Sequence, residues 1–444
     1  MKLNKPKNLN YCATVVAIKT LVPLNNCDNV QAAIIMGNQV IVGNDVKIGD
    51  VGLFFPLECQ LSSKYLKENN LYRKPELNLD VTQKGYFEEN GRIRCIKFRG
   101  NKSEGLFMPI TSVGDFIKED DDSLFIGDEF DELNGINICK KYVPIQRNLG
   151  NKYKISKKPK PSKIIENQFR FHENTSQLYK NLNKINPEDI ISITYKLHGT
   201  SGISSKVLCK KPLKWYEKLL RKIGINIVDT QYDYIYSSRK VIKNSNLNPN
   251  ANHFYKEDIW GMAHERIKEH LQEGMTLYYE IVGYLPSGGY IQKDYEYGCE
   301  QNTFKVYIYR ITYTNLLGKI FEFSAKQVQD WCKYNGLNAV PQLWYGVASE
   351  YYNIFKGPEY SNKRKRIRHS SIKNGSKWQE RFLEDMKTMY NDKDCFMCTN
   401  KVPEEGCVIR IEKSEFEAYK CKSNLFYLRE TALLDKGEID IEEQ

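Results

Sequence analysis

The stretch Tyr195-Lys196-Leu197-His198-Gly199-Thr200-Ser201-Gly202 sets a lysine at the end of an alternating run and follows it with a glycine-bearing turn. Side chains of a strand alternate faces with a period of two. In "ISITYK", Ile191, Ile193 and Tyr195 share one face, and Ser192, Thr194 and Lys196 share the other. A lysine so placed is either a solvated turn residue or an amine held over a phosphate. The rest of the chain carries related patterns. Lys420 and Lys422 lie on one face of "AYKCKS", with Cys421 turned away. Glu280 opposes Leu277, Tyr279 and Ile281 in "LYYEIV". Tyr307 and Tyr309 share a face with Lys305 in "KVYIYRI", and Arg239 faces away from Tyr236 in "YIYSSRK".

These residue types suit nucleotidyl transfer. A lysine amine attacks an α-phosphate and forms a phosphoramidate only when it is unprotonated. Its reference pKa of about 10.4 must therefore be lowered, by neighbouring cations and by desolvation. Lys420, Lys422 and a divalent ion would do this, and would neutralise charge building on the phosphate in flight. Glutamates hold hard cations and ribose hydroxyls. An aromatic face stacks on a base for roughly 1–3 kcal/mol.

"YKLHGTSG" resembles motif I, Lys-x-(Asp/His)-Gly, of the covalent nucleotidyltransferases, the polynucleotide ligases and capping enzymes. "SSR" (237–239) resembles motif Ia, "YYEIVGY" (278–284) motif III, "VYIYRIT" (306–312) motif IIIa, "EEGCVIRI" (404–411) motif IV and "YKCKS" (419–423) motif V. Six motifs stand in the family's order. With its β-rich N-terminal region, the whole chain is most similar to the Deinococcus-type ATP-dependent RNA ligases. The resemblance implies an α+β protein: an OB-like β-barrel module, then an adenylyltransferase (ATP-grasp-like ligase) domain with antiparallel sheets. It implies ATP and Mg²⁺ or Mn²⁺ as cofactors, and RNA or an RNA-containing nicked duplex as partner. By the same resemblance Lys196 is the adenylated nucleophile, and Lys420 and Lys422 hold the α-phosphate. Arg239 contacts the ribose and the 5′-phosphate end. Glu280 binds ribose or metal. Tyr309 stacks on adenine, with Tyr307 as the alternative. Glu405 is the motif IV carboxylate near the metal, with Glu404 the neighbouring register. Thr194 and Gly199 complete the nucleotide contacts. His198 stands where the commoner motif has Asp, and an ordering role in the turn is preferred to a proton-transfer role.

The elements that must position these residues follow from the rest of the pattern. The chain has 444 residues, more than one compact core holds, so two or three domains are expected. Runs such as "ATVVAIKTLVPL" (13–24), "VQAAIIMGNQVIVG" (30–43), "GDVGLFFPLE" (49–58), "RIRCIKFRG" (92–100) and "EGLFMPI" (104–110) predict short strands of a small barrel or sandwich. "SSKYLKENNLY" (62–72) predicts a Ser-capped helix. Residues 1–145 are assigned to this module, 146–165 to a basic Pro-containing linker, 166–430 to the nucleotidyltransferase domain and 431–444 to an acidic tail. Within the second domain, "ENTSQLYKNLNKI" (173–185) and "DIWGMAHERIKEHLQEG" (258–274) predict helices between strands. "KKPLKWYEKLLRKIG" (210–224) reads as a basic amphipathic insertion. "NKRKRIRHSSIKNGSKW" (362–378) reads as a nucleic-acid contact, a nuclear address or a solvated helix. "KKPKPSK" (157–163) is a solvated tether or a phosphate contact.

The charge is +11, from 66 basic and 55 acidic residues, which fits a polyanionic partner and equally fits plain solubility. The opening "MKLNKPKNLN" has no apolar core, and no run reaches a membrane span, so a cytoplasmic monomer with no membrane partner is expected. The 12 cysteines read as reduced, mostly buried thiols. Cys395-x-x-Cys398 has no second pair to complete a zinc site. "GYLPSGGY" (283–290) is a loop over the nucleotide or a turn. His172, His253, His264 and His270 have no ligand-like spacing. Only 22 residues follow Lys422, too few for the trailing OB domain of DNA ligases and capping enzymes. An ATP-dependent RNA ligase is therefore preferred. The alternatives are a DNA ligase, a guanylyltransferase or a nucleic-acid-binding relative without catalysis.

Overall fold

The computed structural model describes residues 3–117, 124–144, 163–244, 255, 257–355, 375–390 and 393–436. The tether at 157–162, the basic segment at 362–374, His253 and the end of the acidic tail at 437–444 lie outside the described residues.

The fold is α+β with predominantly antiparallel sheets. Near the N-terminus, four strands pair in the order Glu129–Phe130, Ala13–Ala17, Val51–Pro56, Gly105–Pro109. The strands Leu21–Pro23, Val30–Ile35 and Asn38–Gly43 make a three-stranded meander. Their inward residues bury Val15, Leu53, Phe55 and Phe130 in one core and Val40, Phe54 and Phe107 in a second. The Ser63–Glu68 helix forms where expected, with Ser62 Oγ accepting from Tyr65 N–H at 3.2 Å. The run at 92–100 is a strand only over Ile96–Phe98. Arg92 instead turns inward to a buried, two-pronged ion pair with Glu58 at 2.8 and 3.0 Å, a pairing that a side chain buried so deeply needs.

Two further sheets carry the candidate site. A five-stranded sheet runs Ser176–Gln177, Glu417–Lys422, Gly406–Ile411, Ile190–Lys196, Gln342–Val347. A six-stranded sheet is built on Thr230–Ser238, Thr200–Lys210, Met275–Gly283 and Phe304–Thr314, in that order. The alternation expected of "ISITYK" holds: Ile191 and Ile193 are buried in the core beneath the first sheet, among Phe382, Met386 and Ile409. The helix expected over 173–185 does not form. Ser176–Gln177 joins the sheet in parallel beside Tyr419 and Lys420, and two 3₁₀ turns follow, Leu178–Lys180 and Leu182–Lys184. Sheet pairing and a bond from Gln177 N–H to Asn10 Oδ1 at 2.9 Å take up the backbone that a helix would use. The 258–274 segment is helical over Ile259–Ile267 and closes with a 3₁₀ turn.

His264, on that helix, is a structural residue. It is buried, its Nδ1 lies 2.9 Å from Ser204 Oγ, and its ring stacks on Tyr236 at 5.2 Å. Burial pushes its pKa down to about 4. As pH falls below the unfolded value of about 6.5, the unfolded chain takes up a proton that the folded chain refuses, so stability is lost between pH 6.5 and 4. Denaturant titrations should show this group removing about 2 kcal/mol between pH 7 and pH 5, and His264→Gln should flatten that part of the profile.

Candidate active site

The register of the five-stranded sheet assembles the cations. Lys196 pairs with Gly406, and Gly406 pairs with Lys422. One step along, Thr194 pairs with Val408 and Val408 with Lys420. Residues in one cross-strand row share a face, so Thr194, Lys196, Lys420 and Lys422 all line one cleft, joined by Arg410. The central position of the lysine row has to be glycine. Gly406 has φ +139°, and a Cβ there would lie 2.0 Å from the Cys421 carbonyl oxygen.

Behind this row sits Glu405. Its side chain is 0% exposed, and its Oε1 lies 2.6 Å from Lys196 Nζ and 3.4 Å from Lys422 Nζ. Glu404 points elsewhere and accepts the Phe396 N–H at 3.0 Å. Of the two adjacent glutamates, Glu405 is therefore the one that meets the lysines. Burial pushes the Glu404 carboxyl up to about 7.

The facing wall comes from the six-stranded sheet. Glu280, buried, pairs with Ser201 on one side and Tyr307 on the other. Between Tyr278↔Arg310 and Tyr279↔Ile308 the register slips, leaving Tyr309 as the extra residue of a β-bulge. The bulge sends Tyr309 into the cleft, with its hydroxyl 3.1 Å from Ser201 Oγ, while Tyr307 packs with Leu197 and Val282 in a small core. Of the two tyrosines, only Tyr309 lines the cleft. Burial and the Glu280 carboxylate both raise its phenol pKa. Arg239 stands just beyond the Thr230–Ser238 strand, lines the cleft and donates to Asn174 Oδ1 at 2.5 Å.

Two predicted residues do not line the cleft. Gly199 lies in the turn after Lys196, where a Cβ would come 2.3 Å from Ile281 O and 2.9 Å from Glu280 Cγ. Its absence of a side chain lets the turn close on the Glu280 strand. Glu405 lies beneath the lysines. The His198 ring packs edge-on to Tyr295 and Phe426 at 4.9 and 4.8 Å, the backbone N–H of His198 donates to Tyr297 Oη at 2.7 Å, and the ring Nδ1 is 4.0 Å from Glu405 Oε2.

Several residues of the cleft were missed in the sequence. His172, set aside there as ordinary, lies 5.1 Å from the Tyr309 ring and 5.7 Å from Phe416. Phe416 lines the cleft too, and Arg310, outside the lining, lies 4.3 Å from the Phe416 ring. From the N-terminal region come Asn8, Asn10, Tyr11 and Lys141. None of these has a periodic signal: His172 sits in irregular chain, and Lys141 is some 55 residues from Lys196 in sequence. "GYLPSGGY" is a turn pinned by stacked Tyr284 and Tyr290 rings 4.7 Å apart, and none of its residues lines the cleft. Cys395 packs among Leu197, Tyr295 and Val402.

Among the described residues, no group of three or more His, Cys, Asp or Glu could cage a metal ion. Glu280 faces the cleft and Glu405 underlies it, a pair of hard donors that suits an ion sharing its shell with substrate phosphates.

A family model for an OB-fold domain matches residues 12–110. No curated protein matches the sequence. Among solved structures the chain is similar to Naegleria gruberi RNA ligase. One is a lysine-to-methionine variant with AMP and Mn, at 14% identity, TM-score 0.55, covering 94% of this chain and 98% of that one. A lysine-to-alanine variant with ATP and Mn has 16% identity, TM-score 0.55 and coverage of 96% and 99%. The ligase with PPi has 17% identity, TM-score 0.54 and coverage of 96% and 98%. At these identities the likeness is one of fold.

The Glu404 carboxyl supplies a stability test. A carboxyl whose folded pKa is about 7 against an ordinary 4.5 destabilises the fold as pH rises through that window. Glu404→Gln keeps an acceptor for the Phe396 N–H and removes the buried charge. It should stabilise the protein at pH 8 by roughly 1–3 kcal/mol and by little at pH 4.5, read from denaturant midpoints.

Proposed function

We propose that this protein is an ATP-dependent RNA ligase of the Deinococcus type. It would seal 3′-hydroxyl/5′-phosphate breaks through a lysyl-AMP intermediate and an adenylylated 5′ end. The observation that carries the reading is Lys196 Nζ at 2.6 Å from a wholly buried Glu405, in the same cleft as Lys420 and Lys422. A merely structural lysine needs neither a buried counter-charge nor two further ammonium groups in register.

In this reading the ion pair holds Lys196 as an ammonium ion and fixes its direction. Attack needs the nitrogen lone pair, so once ATP is bound the Glu405 contact is broken and the ammonium proton passes to solvent water. Lys196 then forms a bond to the α-phosphorus as the bond to pyrophosphate breaks. Lys420 and Lys422 stabilise the charge on the transferring phosphate. Tyr309 supports the adenine, Glu280 the ribose, and Arg239 the ribose and the incoming 5′-phosphate, with Thr194 and Gly199 shaping the floor and the turn. Glu280 and Glu405 would hold Mg²⁺ or Mn²⁺, which when bound supplies charge neutralisation and a lower lysine pKa. AMP next passes to the 5′-phosphate, and the 3′-hydroxyl finally displaces it. Lys141, Tyr11, Asn8 and Asn10 extend the cleft toward the N-terminal region. The module at 1–145 and the domain at 166–430 would together grip a broken RNA duplex, as a monomer and in the cytoplasm. That grip should weaken with salt at roughly −0.9 per phosphate contact on a log–log scale.

The full-length protein should become radiolabelled from α-labelled ATP. Lys196→Ala should take up no label and seal no nicks; persistent sealing by that variant would sink the mechanism. Label taken from GTP in place of ATP would favour a guanylyltransferase. A nick with DNA on its 3′-hydroxyl side, sealed as fast as one with RNA, would favour a DNA ligase. Loss of the aromatic face in Tyr309→Ala should raise the KM for ATP by roughly 10–100-fold, the equivalent of stacking worth about 1–3 kcal/mol, with a smaller effect on kcat.

A further inference from the structure

The amphipathic insertion noted in the sequence has no role in the site. The strands Thr200–Lys210 and Thr230–Ser238 pair in unbroken register from Gly202↔Ser238 to Lys210↔Thr230, so residues 211–229 are an appendage on the hairpin tip. They carry the Trp215–Lys222 helix. Lys211 N–H donates to Asp229 O at 2.7 Å, and the Lys211–Glu217 and Arg221–Asp229 pairs at 3.0 and 3.2 Å tie the helix to its stem. The two nearby acids are thus occupied within the appendage.

None of the helix is buried. Trp215, Leu219 and Ile223, spaced by four, form one stripe, and they are 78%, 55% and 67% exposed. Tyr216 widens the stripe, and Val228, 74% exposed, lies just beyond the helix. Lys214, Lys218 and Lys222, also spaced by four, form a second stripe along the edge of the first. An amphipathic helix ordinarily packs its apolar stripe onto the body of the protein. Here that stripe faces water, and cations border it.

We propose that this appendage binds the surface of an anionic phospholipid membrane, with the helix lying in the interface plane. Trp215 and Tyr216 would sit at headgroup level, Leu219, Ile223 and Val228 below them, and the lysine stripe against lipid phosphates and carboxylates. Nucleic acid would satisfy the lysines but leave the three aliphatic side chains in water, so lipid fits both stripes where RNA fits one. No helix among the described residues is long and apolar enough to cross a membrane. Lying on a surface is a different mode, and it departs from the expectation of no membrane partner. The opposite end of the same hairpin, at Gly202 and Ser238, leads to Arg239 and the cleft. Eight residue steps of strand separate the two ends, about 26 Å at 3.3 Å per residue, so the cleft stays open while the tip is bound.

The test is co-sedimentation of the full-length protein with phosphatidylcholine vesicles, with and without phosphatidylserine. Binding should require phosphatidylserine, and it should fall as salt rises. Leu219→Glu combined with Ile223→Glu should lower it by roughly tenfold or more, while adenylylation by ATP stays unchanged as a check on folding. Replacing Lys214, Lys218 and Lys222 with Gln should weaken binding to the anionic vesicles. Absence of vesicle binding by the parent, or equal binding by the Leu219/Ile223 variant, would overturn the proposal. So would a variant whose only defect is weaker RNA binding or a lost self-association.

Discussion

The carboxylate of Glu405 is the contact around which the cleft is organised. A charge with no exposure at all is costly unless it is paired, and its partners are the ammonium groups of Lys196 and Lys422. Both partners are delivered by one row of the five-stranded sheet, Lys196–Gly406–Lys422. That row closes only because Gly406 has no Cβ to meet the Cys421 carbonyl. The reverse dependence also holds. Without the buried anion, cations drawn together on one sheet face would repel one another.

A second wall is locked to the first by close backbone approach. Gly199 brings the turn after Lys196 against Ile281 and Glu280. The bulge at Tyr278/Tyr279 turns Tyr309 toward that wall's open face. The N-terminal region is fastened on by polar contacts as well as packing. Asn10 accepts from Gln177 N–H, and Lys180 Nζ donates to Leu9 O and Glu129 Oε1, both at 2.8 Å. Those contacts fall on the short segment just before the Ile190–Lys196 strand, next to the Lys420 strand. Asn10, which lines the cleft, is therefore held by the same segment that pairs beside Lys420.

The molecule also separates two kinds of surface. The cleft keeps Glu280 and Glu405 buried, and pairs Glu405 with Lys196 and Lys422. The hairpin tip leaves an apolar stripe and a lysine stripe in water. The hairpin Thr200–Lys210/Thr230–Ser238 borders the cleft at one end, through Ser201 and Arg239, and carries the tip at the other, so the stiffness of the paired strands sets the spacing between them.

Much of the site was legible in the sequence because strand alternation is a local rule. The polar face of "ISITYK", the Lys420/Lys422 pair and the position of Glu280 against its apolar neighbours follow from a period of two, and the structure keeps all three. The Ser62 cap and the helix after it were equally local. What alternation could not supply was register and interruption. Only the pairing of three distant strands puts Lys196 in line with Lys422, and only the bulge separates Tyr309 from Tyr307. The segment at 173–185 had helical periodicity, yet the sheet edge and Asn10 took its backbone, a tertiary bond prevailing over a weak propensity. Residue types and their faces were written in the chain. Which faces meet, which carboxylate is buried and which histidine borders the cleft were decided by long-range pairing, because those contacts depend on residues far apart in sequence.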